Sequence, residues 1–171
     1  MNLSKLGRMR SKIVIVAAFS LAVSLAHAHG DRKYEKKAFD AASAEQKPFG
    51  IAGDPAKASK TIKLAMSDNM RFTPNRITVK QGETIQFVIA NKGKMLHEFV
   101  IGTPEELKEH FELMKKFPNM EHEEAHMTHV KAGKTDKLTW TFNRPGEFAF
   151  ACLIPGHFEA GMSGKITVVK R

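Results

Sequence analysis

Near its C-terminal end the chain carries a cysteine, a histidine and a methionine at equal intervals. Cys152, His157 and Met162 form the pattern Cys-x4-His-x4-Met, and His97 supplies a second imidazole earlier in the chain. A copper ion that changes between Cu(I) and Cu(II) is bound by a soft thiolate, two imidazoles and a weakly held thioether. The four side chains therefore predict a copper site for one-electron chemistry, held by a rigid scaffold.

Each of these side chains also has a purely structural interpretation. A lone cysteine at the end of an apolar strand is often a buried core thiol, and a methionine before the last strand is often a packing residue. The ordered combination with an upstream histidine favours the metal site over these separate interpretations. Zinc could bind the same ligands, although a thioether adds little to a zinc site.

The same residues give little support to an enzyme. A trinuclear copper oxidase needs paired His-x-His motifs, and residues 29–171 contain none. A nucleophilic Cys152 with His157 as its base would need an exposed thiolate and an oxyanion site, and no motif supplies the latter. The single cysteine also excludes an intramolecular disulfide, an iron–sulfur cluster and a binuclear copper site with two thiolates. We therefore predict no catalytic activity.

A second group of soft and imidazole donors lies between residues 120 and 129. His122 and His126 are spaced i, i+4, so a helical turn would place both rings on one side. Imidazole accepts either oxidation state of copper, and methionine favours Cu(I). The alternative is a solvated polar loop whose methionines pack over the fold. The candidate ligands of a second copper are Met120, His122, His126, Met127 and His129.

Short alternating strands are the elements that must position these ligands. From Thr61 onward apolar residues recur at every second position. About seven such strands within about 110 residues, joined mostly by short turns, predict an all-β antiparallel sandwich or barrel. A helix is inserted, because Thr103-Pro104-Glu105-Glu106 is a capping box with proline at the first helical position. Its predicted apolar face consists of Leu107, Phe111, Met114 and Phe117, and Pro118 ends it.

The segment Cys152–Met162 resembles the copper loop of the cupredoxins, the blue-copper family that includes plastocyanin and azurin. Pro155-Gly156-His157 is similar to azurin, whereas the four residues between His157 and Met162 resemble plastocyanin. The resemblance covers about residues 60–171. With its helix and Met/His stretch, the chain is most similar to the periplasmic cupredoxins linked to copper tolerance in proteobacteria. Glu98 departs from the family pattern, where asparagine often supports the cysteine, and no glycine precedes His97.

This resemblance implies a Greek-key β-sandwich with one inserted helix and one type 1 copper. His97, Cys152 and His157 would be its equatorial ligands, Met162 its axial ligand, and the exposed edge of His157 the route of electrons. The implied function is one-electron transfer that serves copper tolerance, with a redox partner such as a c-type cytochrome or a copper oxidase. A copper chaperone or storage protein that uses the Met/His stretch is the alternative.

The first 28 residues have the layout of a secretory signal peptide. Four basic residues and no acid precede the apolar run Ile13–Ala26, which ends in Ala26-His27-Ala28. The run has 14 residues, fewer than the roughly 20 that span a bilayer. We therefore predict a signal peptide over residues 1–28, export to the periplasm, a polar arm over residues 29–60 and a domain over residues 61–171. After cleavage at Ala28, the free amine and ring of His29 would be a third candidate copper site.

The charge of the chain gives no support to nucleic-acid binding. The whole chain carries +9, of which the leader contributes four cations. The remaining +5 is spread along the chain without a long basic run or interleaved aromatic residues. We expect a soluble monomer without stable membrane insertion, whose modest positive charge could steer it to an acidic redox partner.

Overall fold

Eleven β-strands and one α-helix form the regular structure of residues 38–117 and 122–171, which are the residues that the computed structural model describes. The helix α1 spans Pro104–Lys116, and a 3₁₀ turn spans Pro55–Lys57. No helix in this part of the chain is long and apolar enough to cross a bilayer. The strands are β1 Gln46–Lys47, β2 Gly50–Ala52, β3 Lys60–Ser67, β4 Arg71–Thr73, β5 Arg76–Lys80, β6 Glu83–Asn91, β7 His97–Gly102, β8 Met127–Val130, β9 Thr135–Phe142, β10 Gly146–Ala151 and β11 Ser163–Val169.

The strands form two sheets around one core. The six-stranded sheet has the order β1-β2-β9-β6-β3-β4, and the five-stranded sheet has the order β5-β11-β10-β7-β8. Neighbouring strands are antiparallel except β3 with β6 and β5 with β11, which are parallel. The predicted all-β sandwich with an inserted helix is confirmed, and two parallel pairs are added to its antiparallel pattern.

Alternating side chains from both sheets fill the space between them. Phe99 of β7 and Phe150 of β10 lie with ring centroids 5.2 Å apart, and Phe72 of β4 reaches both rings from the other sheet. Burying one large apolar side chain contributes about 1.5–3 kcal/mol to folding. The alternation is regular along β6 and β9, whose buried inward residues are Ile85, Phe87, Ile89, Leu138, Trp140 and Phe142.

The helix α1 begins with the predicted capping box. The Thr103 hydroxyl accepts the Glu106 backbone N–H, and the Glu106 carboxylate accepts the Thr103 N–H. Leu107 and Phe111 pack with residues of β7, β8 and β10 on the outer face of the five-stranded sheet. Because the helix covers this face, all six residues of β7 are buried. Phe117, predicted on the same apolar face, is instead 55% exposed, and Pro118 lies outside the described residues.

The polar arm predicted for residues 29–60 is wrong for residues 46–52. Here β1 and β2 extend the six-stranded sheet beside β9, and Phe49 between them is buried. The Phe49 ring stacks on Trp140, and the Trp140 Nε1–H donates to the Phe49 carbonyl oxygen at 3.0 Å. The two strands are too short to show any periodicity in the sequence, so only their docking on β9 reveals them. The signal peptide predicted for residues 1–28 and the arm up to residue 37 lie outside the described residues.

Candidate metal centre

The pairing of β7 with β10 brings two of the predicted ligands to one end of the five-stranded sheet. His97 is the first residue of β7, and Cys152 directly follows β10. The two strands are antiparallel, with Val100 opposite Ala151, so the start of one meets the end of the other. His157 lies in the turn that connects Cys152 with β11. Three donors therefore converge although His97 is distant in the chain.

One potential ligand atom from each of His97, Cys152 and His157 lies within 4.8 Å of the other two. His157 Nδ1 is 3.2 Å from His97 Nδ1 and 3.4 Å from Cys152 Sγ. His97 and Cys152 have no exposed surface, whereas His157 is partly exposed. Within the described residues, this is the one cluster of three or more His, Cys, Asp or Glu side chains close enough to share a metal ion.

Backbone hydrogen bonds hold the connecting turn closed. The Cys152 N–H donates to the Met162 carbonyl at 3.0 Å, and the Met162 N–H donates to the His157 carbonyl at 3.0 Å. Gly156 and Gly161 have φ angles of +88° and +86°, a conformation that favours glycine. Met162 is fully buried. The predicted axial residue is therefore tied to both Cys152 and His157 through the main chain.

Asp68 is a residue of this site that has no signal in the sequence. Its Oδ1 lies 3.1 Å from His97 Nε2, which leaves His97 Nδ1 directed toward His157. A histidine that binds a metal usually donates its other ring N–H to such a carboxylate. Hydrogen bonds from the Lys94 backbone N–H and from His97 lower the pKa of Asp68. Asp68 lies in the turn after β3, and only the tertiary fold brings it to His97.

Glu98 connects the site to the helix-covered face of the sheet. Its backbone N–H donates to Cys152 Sγ at 3.3 Å, so this contact does not need the asparagine that is frequent in the family. The buried Glu98 carboxylate accepts the Leu153 N–H at 3.2 Å and lies 2.9 Å from His129 Nε2. Glu98 therefore contacts the Cys152 sulfur with its main chain and the next residue, Leu153, with its side chain.

Burial determines the protonation of the metal-free site. It raises the pKa of Cys152 to about 12, and the nearby Glu98 carboxylate adds to the shift. Burial and the neighbouring His97 ring lower the pKa of His157. At neutral pH the thiol is therefore protonated and His157 is neutral. Metal binding at these atoms displaces the thiol proton.

We expect the metal-free protein to lose stability as the pH rises above about 9. An unfolded cysteine ionises with an ordinary pKa of 9.0, whereas the folded thiol keeps its proton to about pH 12. The stabilisation is therefore complete below pH 9 and falls by up to about 1.4 kcal/mol per pH unit above it. Urea unfolding of the wild type and Cys152→Ala at about pH 8 and about pH 10 measures this loss. An equal change in the free energy of unfolding between the two pH values in both proteins would contradict this prediction.

The second candidate group is not gathered at one point among the described residues. His126 packs edge-on against Phe49 and Trp140, and His129 pairs with Glu98. Met127 is buried beneath the helix α1. Residues 122–126 form no helix, so the i, i+4 spacing does not place His122 and His126 on one helical face. Met120 and His29 lie outside the described residues.

His122 instead meets His110, a residue that the sequence leaves unassigned. The two Nε2 atoms are 2.7 Å apart, and the ring centroids are 4.7 Å apart. His110 lies on α1, twelve residues before His122, so no helical spacing links them. Burial and the neighbouring His122 lower the pKa of His110. The sequence places His122 shortly after the end of the predicted helix that carries His110. A loop that packs back along this helix would have brought the two histidines together.

Comparison with known proteins agrees with the donor chemistry of the site. Residues 59–169 match the family model for copper binding proteins of the plastocyanin/azurin family. The chain belongs to this family. It is a copper-binding protein with a cupredoxin fold, and the resemblance inferred from the copper loop is confirmed.

Individual relatives agree with the family. The copper-resistant cuproprotein CopI of Rubrivivax gelatinosus is 45% identical over 163 residues, which cover 94% of this chain and 96% of that protein. CopI of Vibrio cholerae is 34% identical over 160 residues, with coverage of 90% and 95%. The solved structure of reduced auracyanin from Roseiflexus castenholzii superimposes with a TM-score of 0.57 at 25% identity, covering 66% of this chain and 98% of auracyanin.

Proposed function

We propose that this cupredoxin is an exported protein with one type 1 copper that transfers single electrons and serves copper tolerance in the periplasm. The observation that carries the proposal is the convergence of His97, Cys152 and His157 within 4.8 Å. The names of the CopI relatives support the role in tolerance. The predicted signal peptide supports export.

The residues present fit copper by the chemistry of their donors. One thiol and two imidazoles converge, and the backbone ties the buried Met162 to the same turn. His97, Cys152, His157 and Met162 would hold the copper, which would supply a one-electron couple between Cu(I) and Cu(II). Zinc would make less use of the thioether.

The protein's own contribution is a rigid site that reaches the surface at one residue. His97 and Cys152 lie at the adjoining ends of β7 and β10 and are buried away from water. The hydrogen bonds between the two strands keep both residues in position. His157 is the partly exposed member and would face an electron-transfer partner. Met95 and Leu96, just before His97, are 40% and 41% exposed and add apolar surface for docking. A c-type cytochrome or a copper oxidase is the proposed partner of a monomeric, non-enzymatic protein.

A redox titration of the copper-loaded protein tests the proposal. We expect one electron per chain to remove the visible colour, and one equivalent of oxidant to restore it without loss of copper. Cells that depend on the protein should lose copper tolerance with Cys152→Ser. The form recovered from the periplasm should begin at His29. Copper that cannot be reduced and reoxidised in place would contradict electron transfer.

Copper storage is the second candidate function. The observation that favours it is the His110–His122 pair, which places two imidazoles together outside the cluster of His97, Cys152 and His157. Storage predicts that tolerance depends on the amount of protein and on every copper it binds. Electron transfer predicts that tolerance depends on the site of Cys152 alone. Copper tolerance of cells that carry variants of each site separates the two functions.

A further inference from the structure

We propose that Asp68 positions His97 for the copper and favours Cu(II) over Cu(I) at the type 1 site. This inference rests on the proposed type 1 copper. Asp68 follows β3 of the six-stranded sheet, whereas His97 begins β7 of the five-stranded sheet. Asp68 Oδ1 and His97 Nε2 are 3.1 Å apart. A carboxylate that follows a strand of one sheet therefore contacts a predicted copper ligand of the other.

The place of the hydrogen on the His97 ring is the first argument. An ionised carboxylate only accepts hydrogen bonds, so the contact with Asp68 requires a hydrogen on His97 Nε2. In a neutral ring the other nitrogen, Nδ1, then has a free lone pair. His97 Nδ1 lies 3.2 Å from His157 Nδ1, so this lone pair points into the cluster of donor atoms. Asp68 therefore selects the form of His97 that can bind a metal ion there.

The turn that precedes β7 is shaped around the Asp68 carboxylate. The Lys94 N–H donates to Asp68 Oδ2 at 2.8 Å, and the Met95 N–H donates to Oδ1 at 3.3 Å. A Cβ atom added to Gly93 would lie 1.9 Å from Asp68 Oδ1, so glycine leaves the room that the carboxylate occupies. The buried Asn91 fixes the same turn, because its amide donates to the Met95 carbonyl at 2.7 Å. These contacts hold the carboxylate in one place.

The negative charge of Asp68 is the argument for an effect on the copper. Cu(II) carries one more positive charge than Cu(I), so a nearby carboxylate stabilises the oxidised form more than the reduced form. The carboxylate and the donor cluster lie at opposite nitrogens of the His97 ring, so Asp68 acts without being a ligand. The Asp68 side chain is 34% exposed, and water therefore screens part of its charge. We expect an effect of about tenfold on the ratio of the affinities for Cu(II) and Cu(I).

Reduction potentials of the copper-loaded full mature chain test the effect of the charge. Asp68→Asn keeps an oxygen that can accept the His97 N–H but removes the negative charge. We expect its potential to lie about 59 mV above that of the wild type, which corresponds to a tenfold loss of preference for Cu(II) in a one-electron couple. Asp68→Ala removes the hydrogen bond as well and should raise the potential at least as much. Unfolding curves of the metal-free proteins verify that each variant folds.

Asp54 provides a matched control for the loss of a carboxylate. It accepts the Ala56 N–H at 2.9 Å in the turn before β3, and its side chain is 29% exposed. Asp54→Asn therefore removes a charge of similar exposure and similar backbone contact from a turn that does not contact His97. We expect this variant to keep the wild-type potential.

Nitrogen NMR of the metal-free chain tests the position of His97 without copper. At about pH 8 an ordinary histidine is neutral, and the ¹⁵N shifts of its ring show which nitrogen carries the hydrogen. We expect the hydrogen on His97 Nε2 in the wild type and in Asp68→Asn. In Asp68→Ala we expect a mixture of the two tautomers, because the acceptor that selects one of them is gone.

The outcomes distinguish the role of Asp68 from the proposed type 1 site. A wild-type potential in folded Asp68→Asn, or an equal rise in Asp54→Asn, would overturn the effect of the Asp68 charge on the copper. A hydrogen on His97 Nδ1 in the wild type, or an unchanged tautomer in Asp68→Ala, would overturn the positioning of His97. Absence of the thiolate absorption in the wild type would count against the proposed type 1 copper alone, since the NMR experiment tests Asp68 on the metal-free chain.

Discussion

Cys152→Ser is expected to abolish the intense visible absorption of the copper-loaded protein, to below about a tenth of its wild-type intensity. The absorption arises from charge transfer between the thiolate and Cu(II), and serine has no sulfur to supply it. Cys152 is fully buried, with its sulfur 3.4 Å from His157 Nδ1. Visible absorption and copper counting on the same sample measure the effect.

A control must show that the loss of colour is specific to this sulfur. Met127→Leu removes another buried sulfur from the fold and preserves the volume of the side chain. We expect this variant to keep the full absorption. Retained colour in folded Cys152→Ser would show that Cys152 is a core thiol and that the ligand assignment is wrong.

Glu98→Ala is expected to lower the free energy of unfolding by about 2–4 kcal/mol, because it leaves two buried donors without their acceptor. The Glu98 carboxylate lies 2.9 Å from His129 Nε2 and accepts the Leu153 N–H, so alanine removes one acceptor from two buried donors. The turn that holds Cys152 then loses a brace, and the thiolate absorption should weaken and shift. Urea unfolding of the metal-free protein and the spectrum of the copper form measure the two effects.

Two further variants separate the buried carboxylate from a general effect of losing charge. Glu98→Gln keeps an amide oxygen for the Leu153 N–H, and we expect a smaller loss of about 1–2 kcal/mol. Glu109→Ala removes an exposed glutamate from α1 and should change stability by less than about 0.5 kcal/mol. A loss in Glu98→Ala as small as in Glu109→Ala would show that the buried pair is not structural.

The parts of the site that could be predicted are local and chemically rare. Cys152, His157 and Met162 lie in one turn, so a short stretch of chain keeps them together. The capping box of α1 is equally local, since its two hydrogen bonds join residues three apart. His97 is the exception, because pairing of β7 with β10 is needed to bring it to Cys152.

The parts that could not be predicted depend on contacts between distant residues of common types. Asp68 meets His97 across 29 residues of chain, and no motif precedes it. Phe49 docks on Trp140 across 91 residues, in a stretch whose composition resembles a linker. Glu98 and His129 pair across β7 and β8, although the spacing of the histidines suggested that His129 is a ligand of a second copper.

By itself the sequence determined the donor set, the alternation of the strands and the start of the helix. Each of these follows from a few neighbouring residues, whose periodicity and hydrogen bonds act over short distances. The tertiary structure alone decided which histidine meets which partner. His129 reaches Glu98 because β8 pairs with β7, and His122 reaches His110 because the chain returns along α1. Such pairings result from the packing of whole sheets and helices, and therefore no local pattern of residues reveals them.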